Sequence, residues 1–214
     1  MAKNKNILII SPHTDDAELG CGATLYKLSK KGYKLHYIAF SACEDSVPKN
    51  FNKNILKSEV KKSTEIIGVN NKNLTILNFK VREFYKNRQE ILDIMINYKQ
   101  RIKPFIIFTT SIKDIHQDHK VICEESIRAF KFENLLSYEL PWNAKNFQPN
   151  FYVEIKQSEF LKKIKSLSKY RSQKFRKYFD NDFIKSQILF RGIQSKFNLA
   201  EAFEIINLNS DISI

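Results

Sequence analysis

The sequence has few cysteines, and the three that it has form no recognisable disulfide or metal-binding motif. Cys21, Cys43 and Cys123 are an odd number and share no Cys-x-x-Cys spacing. We therefore expect neither a disulfide framework nor a zinc site built from thiolates. We interpret the three residues as small hydrophobic side chains of the core.

The chain also lacks long apolar runs and flexible linker segments. No stretch approaches the roughly 18 uninterrupted apolar residues of a membrane-spanning helix. The first residues lead into an apolar run at 7–10 without the small-residue cleavage site of a secretory signal. With five glycines and five prolines in 214 residues, no part has the composition of a linker. We expect a single domain spanning residues 1–214 and a cytoplasmic location.

Acidic residues are outnumbered by basic ones, which raises the question of a nucleic-acid partner. The chain has 36 Lys and Arg against 23 Asp and Glu, for a formal net charge of +13. The lysines are spread along the whole chain, and no recognisable nucleic-acid-binding motif accompanies them. Because charge alone is only an electrostatic footprint, we expect no specific nucleic-acid binding. The expected partner is a small-molecule substrate, and the sequence is compatible with a homo-oligomer.

Apolar runs of strand length alternate with longer segments of helical period. Continuous apolar strands separated by helices predict a mostly parallel sheet with helices on both faces, which is a Rossmann-like α/β fold. The last third is less regular. The predicted strands are 7–10, 35–40, 74–77, 105–109, 135–140, 151–155 and 202–206, and the predicted helices are 17–31, 54–67, 88–98, 159–175 and 183–190.

Three of the four histidines fall in two short acidic clusters. Residues 12–18 read PHTDDAE, and residues 114–119 read DIHQDH. Each cluster follows a predicted strand, so both should lie at the carboxyl edge of the parallel sheet, where open α/β folds bind their ligands. If the strands at 7–10 and 105–109 are neighbours at the switch point, the two clusters face each other.

The residue types in these clusters predict a catalytic metal site. Two imidazoles and one carboxylate leave a divalent zinc ion an open position for water, whereas a structural site is closed. His13 and Asp16 can turn inward together, while Asp15 stays free to act as a base. The spacing of His116 and His119 lets one bind metal and the other approach a leaving group.

Each cluster taken alone has a simpler explanation. Two aspartates before a helix are an ordinary N-cap, and a single histidine after a strand is usually a structural residue. Two clusters that each mix His with Asp, each placed after a strand, favour a metal site over capping and packing.

At these residues the sequence resembles the LmbE-like or PIG-L family of zinc-dependent N-acetylglucosaminyl deacetylases. The family pattern Pro-His-x-Asp-Asp-x-Glu followed by Gly-x-Gly stands at residues 12–22, and the second motif, His-x-Asp-His, stands at residues 116–119. The likeness continues through 59–68, 170–173 and 191–203, so it covers nearly the whole chain.

The resemblance implies a role for several residues and a reaction. One zinc ion, or iron in its place, would be bound by three ligands, His13, Asp16 and His119. Asp15 would be the general base, and His116, oriented by Asp118, would be the acid or electrostatic stabiliser. The reaction would be hydrolysis of the amide in an N-acetylated amino-sugar conjugate.

Two departures from the family pattern affect the expected substrate contacts. An arginine of many members is replaced by Leu56, and an aspartate usually found just before Arg82 is replaced by Val81. Lys53 or Lys57 could take the place of the lost arginine. Arg82 stays a candidate for substrate binding, although a loop arginine is more often a solvated charge.

Two aromatic residues near the polar loop at 143–150 could contact a sugar. Trp142 and Tyr138 have rings that can stack on a pyranose, but packing in the core is the explanation that we favour for them.

Two other functions stay open. A related metallohydrolase could act on another small amide or ester, and a basic binding protein could carry a vestigial metal site. Asp15 and His116 argue against the second, because a structural ion needs no spare base and no spare imidazole.

Overall fold

The structure is a computed structural model that describes residues 5–209. The prediction of one domain over 1–214 includes both ends outside that range. The strands are β1 (Asn6–Ser11), β2 (Lys34–Ala39), β3 (Leu74–Ile76), β4 (Ile106–Thr110), β5 (Leu135–Tyr138), β6 (Phe151–Glu154) and β7 (Ala200–Asn207). The helices are α1 (Asp16–Lys30), α2 (Ile55–Ile66), α3 (Arg88–Ile102), α4 (Gln117–Ala129), α5 (Gln157–Leu167) and α6 (Asn181–Ser195).

The strands form one mixed sheet in the order β3-β2-β1-β4-β5-β7-β6. The first five strands pair in parallel, and β7 runs antiparallel to both β5 and β6. The predicted mostly parallel α/β fold is therefore confirmed. The antiparallel part lies in the last third of the chain, where the alternation of strands and helices in the sequence is less regular.

Alternate side chains of β1 pack into two separate cores, one on each face of the sheet. Ile7 and Ile9 pack on the face that α1, α2 and α5 cover, and Leu8 and Ile10 pack on the face that α3 and α4 cover. All four are fully buried. Because both faces are covered, the strand is apolar at all four central positions, 7–10, and shows no polar alternation there.

The structure agrees with the sequence on the state of the cysteines and contains no membrane-spanning helix among the described residues. Cys21, Cys43 and Cys123 are free thiols in buried positions, as predicted. Within residues 5–209, no helix combines the length and the apolar character that crossing a bilayer requires.

The prediction of one helix over 159–175 is wrong at its C-terminal end. Helix α5 ends at Leu167, and the chain continues in two short 3-10 turns, at Arg171–Gln173 and Lys177–Phe179. The backbone N–H of Ser172 donates to Oε1 of Glu59 at 3.0 Å, so it has a side-chain partner instead of a helical carbonyl. Glu59 lies more than one hundred residues before Ser172 in the sequence, so no local sequence pattern indicates this contact.

Helix α1 is kinked where it crosses the sheet. Cys21 has non-helical φ and ψ angles of −143° and 21°. The kink leaves backbone groups without helical partners, and a buried ion pair between Lys163 and Glu201 bonds to them. Lys163 Nζ donates to the carbonyl of Leu19 at 2.6 Å, and Glu201 accepts the N–H of Thr24 at 2.7 Å. The first turns of α1, which carry the first acidic cluster, therefore have a fixed direction.

Replacing Gly20 with alanine should destabilise this helix packing. An added Cβ would lie 2.3 Å from Cδ2 of Tyr138, whose ring is fully buried. We expect Gly20→Ala to lower the free energy of unfolding by about 1–3 kcal/mol, the usual cost of overpacking a core. Gly22→Ala is the matched control, because its Cβ would meet Lys163 at an ordinary 3.4 Å. Urea denaturation measures both variants, and equal destabilisation would contradict this packing.

Candidate active site

The two acidic clusters meet at the carboxyl edge of the sheet. The first follows β1 and the second follows β4, and these strands are paired neighbours, with Ile9 opposite Phe108. β4 lies about one hundred residues after β1 in the sequence. The clusters meet because the two strands are adjacent in the sheet. The expectation that they face each other across the switch point is confirmed.

The first cluster forms a tight turn between β1 and α1. Ser11 Oγ donates to the carbonyl of His13 at 2.5 Å and accepts the N–H of Ala17 at 3.2 Å. The N–H of His13 donates to Oδ2 of Asp16 at 2.9 Å. Asp16 is the first residue of α1, where the helix macrodipole favours a negative charge. The turn therefore directs the imidazole and the carboxylate to the same side.

The second cluster precedes α4 and is fixed by its own side chains. His116 is the N-cap residue, and its Nδ1 accepts the N–H of Asp118 at 3.2 Å. Asp114 Oδ1 accepts the N–H of His116 at 2.8 Å. Thr110, the last residue of β4, donates to the carbonyl of His119 at 3.0 Å. These bonds hold His119 in the first turn of α4, facing the first cluster.

Three atoms from the two clusters form a nearly equilateral triangle. His13 Nδ1 lies 3.1 Å from Asp16 Oδ2 and 3.1 Å from His119 Nε2, and the last two atoms are 3.2 Å apart. Tetrahedral ligands at about 2.0–2.1 Å from a zinc ion lie roughly 3.3 Å from each other. The residues present fit a divalent metal ion, because both the spacing and the types of the donor atoms match.

A third imidazole lies beside this triangle. The rings of His116 and His119 stack with centroids 4.5 Å apart, and ligand atoms of His13, His116 and His119 lie within 4.8 Å of one another. A three-histidine set could therefore also hold a metal ion. The backbone bond to Nδ1 of His116 leaves only its Nε2 for that purpose.

Both histidines of the triangle bond to a carboxylate through their other ring nitrogen. Asp114 Oδ2 lies 2.7 Å from His119 Nδ1, and Asp118 Oδ2 lies 3.1 Å from His13 Nε2. Imidazoles that bind metals commonly have such a partner, which fixes the orientation of the ring. The predicted contact between Asp118 and His116 is therefore corrected: the carboxylate bonds to His13, and only the backbone N–H of Asp118 reaches His116.

The backbone of Arg82 takes part in this arrangement. Its N–H donates to Asp118 Oδ2 at 2.7 Å, and its carbonyl accepts from Nε2 of Gln117 at 2.7 Å. Arg82 has a φ angle of 68°, in the left-handed region that residues other than glycine rarely adopt. Backbone strain of this kind is characteristic of functional sites. The side chain of Arg82 is exposed at the edge of the cleft.

The charges of the triangle are strongly coupled. Burial alone would raise the pKa of Asp16. The neighbouring charges of His119 and His13 lower it by more than burial raises it, so the pKa lies well below its usual value. Burial lowers the pKa of His119, but Asp16 and Asp114 raise it to about 10. Protons therefore balance the buried carboxylates when no cation does. A metal ion must displace those protons, so its affinity should fall as the pH falls.

Asp15 and His116 line the same cleft and have shifted pKa values of their own. Burial, followed by the charge of Asp16, raises the pKa of Asp15 to about 6. Burial and the charges of His119 and His13 lower the pKa of His116 to about 4. The Asp15 side chain makes no capping bond to α1, so the simple N-cap explanation fails for it. At pH 7 the cleft holds an ionised carboxylate beside a neutral imidazole.

The buried carboxylate of Glu18 lies at the centre of a hydrogen-bond network beside the turn of the first cluster. Glu18 accepts hydrogen bonds from the hydroxyls of Tyr37, Tyr170 and Ser63. Both tyrosine hydroxyls also lie within hydrogen-bond distance of the carbonyl of Thr14. Burial raises the pKa of Glu18 to about 7, although the three donors oppose the shift. The Thr14 peptide, between the two ligands of the first cluster, is thus contacted by one tyrosine from β2 and one from the segment after α5.

The cleft above the triangle has a volume of about 220 Å³. One wall carries Trp142, whose ring stacks on Tyr178 with centroids 4.3 Å apart and planes 8° apart. Another wall carries the two departures from the family pattern, Leu56 and Val81. Gln173 and Arg176 close the cleft on the side of the 3-10 turns after α5.

The sequence-based substrate contacts have mixed outcomes. Tyr138 is fully buried beneath α1, so it packs in the core and does not reach the cleft. Trp142 does line the cleft. Lys57 pairs with Glu44 at 2.6 Å, and neither Lys57 nor Lys53 lines the cleft, so neither replaces the missing arginine there.

Three residues of the site were missed in the sequence. Asp114 stands in the second cluster, five residues before His119, and a search for carboxylate partners of the histidines could have found it. Gln173 lies on the segment that was predicted to be helical and Arg176 directly follows it, and both line the cleft in the chain that continues after α5 ends at Leu167.

Comparison with known sequences finds one matching family profile and a related protein. The profile of the family described as PIG-L, GlcNAc-PI de-N-acetylase, matches residues 8–130, which is more than half of the chain. The chain is also 28% identical over 177 residues to a protein named "Uncharacterized deacetylase YaiS" from Escherichia coli (strain K12). That alignment covers 79% of this chain and 92% of the relative.

Solved structures with low sequence identity have the same fold. N,N'-diacetylchitobiose deacetylase from Pyrococcus horikoshii is 19% identical, with a TM-score of 0.77 over 94% of this chain and 84% of that one. GalB, the 4-carboxy-2-hydroxymuconate hydratase from Pseudomonas putida KT2440, is 17% identical, with a TM-score of 0.79 over 98% and 99%. At this level of identity, the likeness extends to the fold alone.

Removing the charge of either outer carboxylate should weaken metal binding. We expect Asp114→Asn and Asp118→Asn each to lower the affinity for Zn²⁺ by roughly 10- to 100-fold, because the amide no longer orients and polarises the ligand imidazole. Asp93→Asn is the control, since its exposed carboxylate bonds only to Gln89 within residues 5–209. Competition with a chromophoric chelator measures the affinity, and three equal values would show that these carboxylates do not serve the metal site.

Proposed function

The chain belongs to the PIG-L family, and from that premise we propose that it is a metal-dependent hydrolase that deacetylates an N-acetylated amino-sugar conjugate. The family profile and the deacetylase relative support a hydrolytic N-deacetylase. The proposed ion is zinc, with Fe²⁺ as the alternative, because two imidazoles and one carboxylate suit either ion. The proposed ligands are His13, Asp16 and His119.

The observation that carries the proposal is the triangle of ligand atoms beside an aspartate, Asp15, whose side chain makes no capping bond to α1. His13, Asp16 and His119 are at most 8% exposed and present three donor atoms at 3.1–3.2 Å from one another. Asp15 and His116 line the cleft directly above them. A structural ion would need neither, so the arrangement favours catalysis.

The reaction follows from the groups around the cleft. A divalent ion bound at the triangle would polarise an amide carbonyl and lower the pKa of a water molecule. Asp15, with a pKa raised by burial to about 6, accepts the proton that the attacking water loses. A base whose pKa lies near the working pH is well matched to this step. The protonated Asp15 then returns the proton to the amine nitrogen as the C–N bond breaks.

His116 acts as a hydrogen-bond donor to the reacting carbonyl. Because its Nδ1 accepts the N–H of Asp118, the neutral ring carries its proton on Nε2. Its lowered pKa, about 4, makes the neutral ring the form present at pH 7. The Nε2–H can then stabilise the negative charge that develops on the carbonyl oxygen. Of the two roles that the sequence analysis left open, this favours the electrostatic stabiliser over the acid.

The sugar part of the proposal is supported by the family and by the walls of the cleft. The family profile is described as a GlcNAc-PI de-N-acetylase, and a structure with the same fold is a diacetylchitobiose deacetylase. Trp142 offers an aromatic face at the cleft, and its stacking on Tyr178 holds that ring in place. Sugars commonly bind by placing their apolar face against such a ring.

A second candidate is addition of water to an unsaturated carboxylic acid. The likeness to the GalB hydratase, with a TM-score of 0.79, favours it. A metal ion beside a base activates water for addition as well as for hydrolysis. Deacetylation is preferred because the family profile and the relative with 28% identity both point to it.

Incubation of the zinc-loaded protein with N-acetylated sugar conjugates tests the proposed function. We expect equal amounts of acetate and free amine, measured by proton NMR and by an amine-reactive dye. A chelator should abolish both, and added Zn²⁺ should restore them. Hydration of an unsaturated acid without release of acetate from any conjugate would replace the proposal with the second candidate.

The two adjacent aspartates should separate metal binding from catalysis. Asp16→Asn should lower metal content and turnover together, because Asp16 Oδ2 is a corner of the triangle. Asp15→Asn should keep the ion, while turnover falls by roughly 10²-fold or more, the usual effect of removing a positioned base. Metal analysis and kcat are measured on the same preparations. Loss of zinc from the Asp15 variant, or its retention with full rate in the Asp16 variant, would reverse the assignment.

A further inference from the structure

One charged side chain of the cleft has no role in the chemistry described above. Arg176 is half-buried, lines the cleft together with Asp15 and His116, and makes no ion pair with any acid of residues 5–209. Its Nε donates to Oε1 of Gln173 at 2.7 Å, its guanidinium lies 5.8 Å from the centroid of the Tyr178 ring, and its charge opposes the rise in the pKa of Asp15. No carboxylate of the described residues lies within ion-pair distance of its terminal nitrogens, so these nitrogens can donate to an anion. A cation in a cleft without a carboxylate partner favours binding of an anion.

The position of Arg176 is fixed by a chain of buried hydrogen bonds. Gln173 is 3% exposed, and its Nε2 donates to Oγ of Ser172 at 3.1 Å. Ser172 donates in turn to the buried carboxylate of Glu59, from Oγ at 2.6 Å and from its backbone N–H at 3.0 Å. This network connects α2 to the segment after α5. Arg176 is therefore oriented before any ligand binds, which lowers the cost of binding one.

Other basic residues near the cleft differ from Arg176. Lys57 is neutralised by Glu44, at 2.6 Å. Arg82 has an exposed side chain, and the bonds that hold it in place come from its backbone. Arg176 alone among these three combines an orienting side-chain bond with a place on the cleft wall.

Apart from the exposed Arg82, the other residues that line the cleft include no lysine or arginine. Leu56 and Val81 are apolar, and Trp142 and Tyr178 present stacked rings. The metal triangle is occupied with the reacting amide in the proposed reaction. An anionic group on the substrate would therefore find its charged partner at Arg176, on the side of the cleft formed by the turns after α5.

We propose that Arg176 is a specificity-determining residue that binds an anionic group, a carboxylate or a phosphate, on the amine portion of the substrate. The inference rests on the proposed deacetylase function and narrows its substrate to acetylated amino-sugar conjugates with a negatively charged aglycone. A guanidinium suits both anions because its parallel N–H groups can bind two oxygens at once. The acetyl group would lie over the metal triangle, and the anion, carried by the substituent on the neighbouring anomeric carbon, would lie beside Arg176.

Three probes that differ only in the group on the anomeric oxygen test this inference. They are N-acetylglucosamine conjugates with a methyl, a carboxymethyl or a phosphate group. The zinc-loaded protein should have a higher kcat/KM for both anionic probes than for the neutral one. Arg176→Gln should lower that ratio by roughly 10- to 100-fold, the scale of one hydrogen bond to a charged group. A preference for one anion over the other identifies which of the two the substrate carries.

Two further variants serve as controls. Arg176→Lys should recover part of the ratio, since it restores the charge without the paired N–H groups. Arg171→Gln removes an exposed arginine from the same segment, outside the cleft, and should leave the ratio unchanged. Dissociation constants of the three deacetylated amines, measured by calorimetry on the same proteins, should follow the same order, and they do not depend on turnover.

The outcomes separate this inference from the proposed function. Amine release without an anion preference, or an equal loss on all three probes in Arg176→Gln, would overturn the role of Arg176 and leave the deacetylase intact. The absence of amine release from every probe would overturn the deacetylase, and calorimetry would then decide the anion site. Amines that bind equally with and without the negative charge would overturn the anion site as well.

Discussion

A single carboxylate oxygen holds the two halves of the site together. Asp16 Oδ2 accepts the N–H of His13 and lies within 3.2 Å of ring nitrogens from His13 and His119. Asp16 is the first residue of α1. The kink at Cys21 and the hydrogen bonds around Glu18 therefore both affect the position of this oxygen through the backbone. Because β1 and β4 are adjacent, one oxygen can span residues that are about one hundred positions apart in sequence.

Burial of charge explains why the surroundings of the triangle are so polar. Four carboxylates surround three imidazoles. When the imidazole rings are neutral, the group carries a large negative charge, which is costly to bury unless it is balanced. Protons or a cation must balance it, and the pKa of His119 is raised to about 10 because it lies beside these carboxylates. The four acids are Asp15, Asp16, Asp114 and Asp118. Burial, followed by the charge of Asp16, also raises the pKa of Asp15 to about 6, so the burial of this acidic group affects both the need for a cation and the strength of the base.

The sequence predicted the parts of the site that depend on local pattern and missed those that depend on distant contacts. Apolar runs and two clusters of His and Asp were enough for the sheet and for the meeting of His13 with His119. The carboxylate of Asp118 was assigned to the wrong histidine, because its side chain bonds to His13 of the other cluster and only its backbone N–H bonds to the nearby His116. Arg176 enters the cleft because Glu59 bonds to the segment after α5, and no local pattern encodes that contact.

We propose that His13, Asp16 and His119 hold one divalent ion beside Asp15. A crystal structure of the zinc-loaded protein, with anomalous data collected at the zinc edge, would locate the ion. We expect one strong peak per chain, at about 2.0–2.2 Å from His13 Nδ1, Asp16 Oδ2 and His119 Nε2. A peak bound by His116 in place of Asp16, or no peak in protein saturated with zinc, would contradict it.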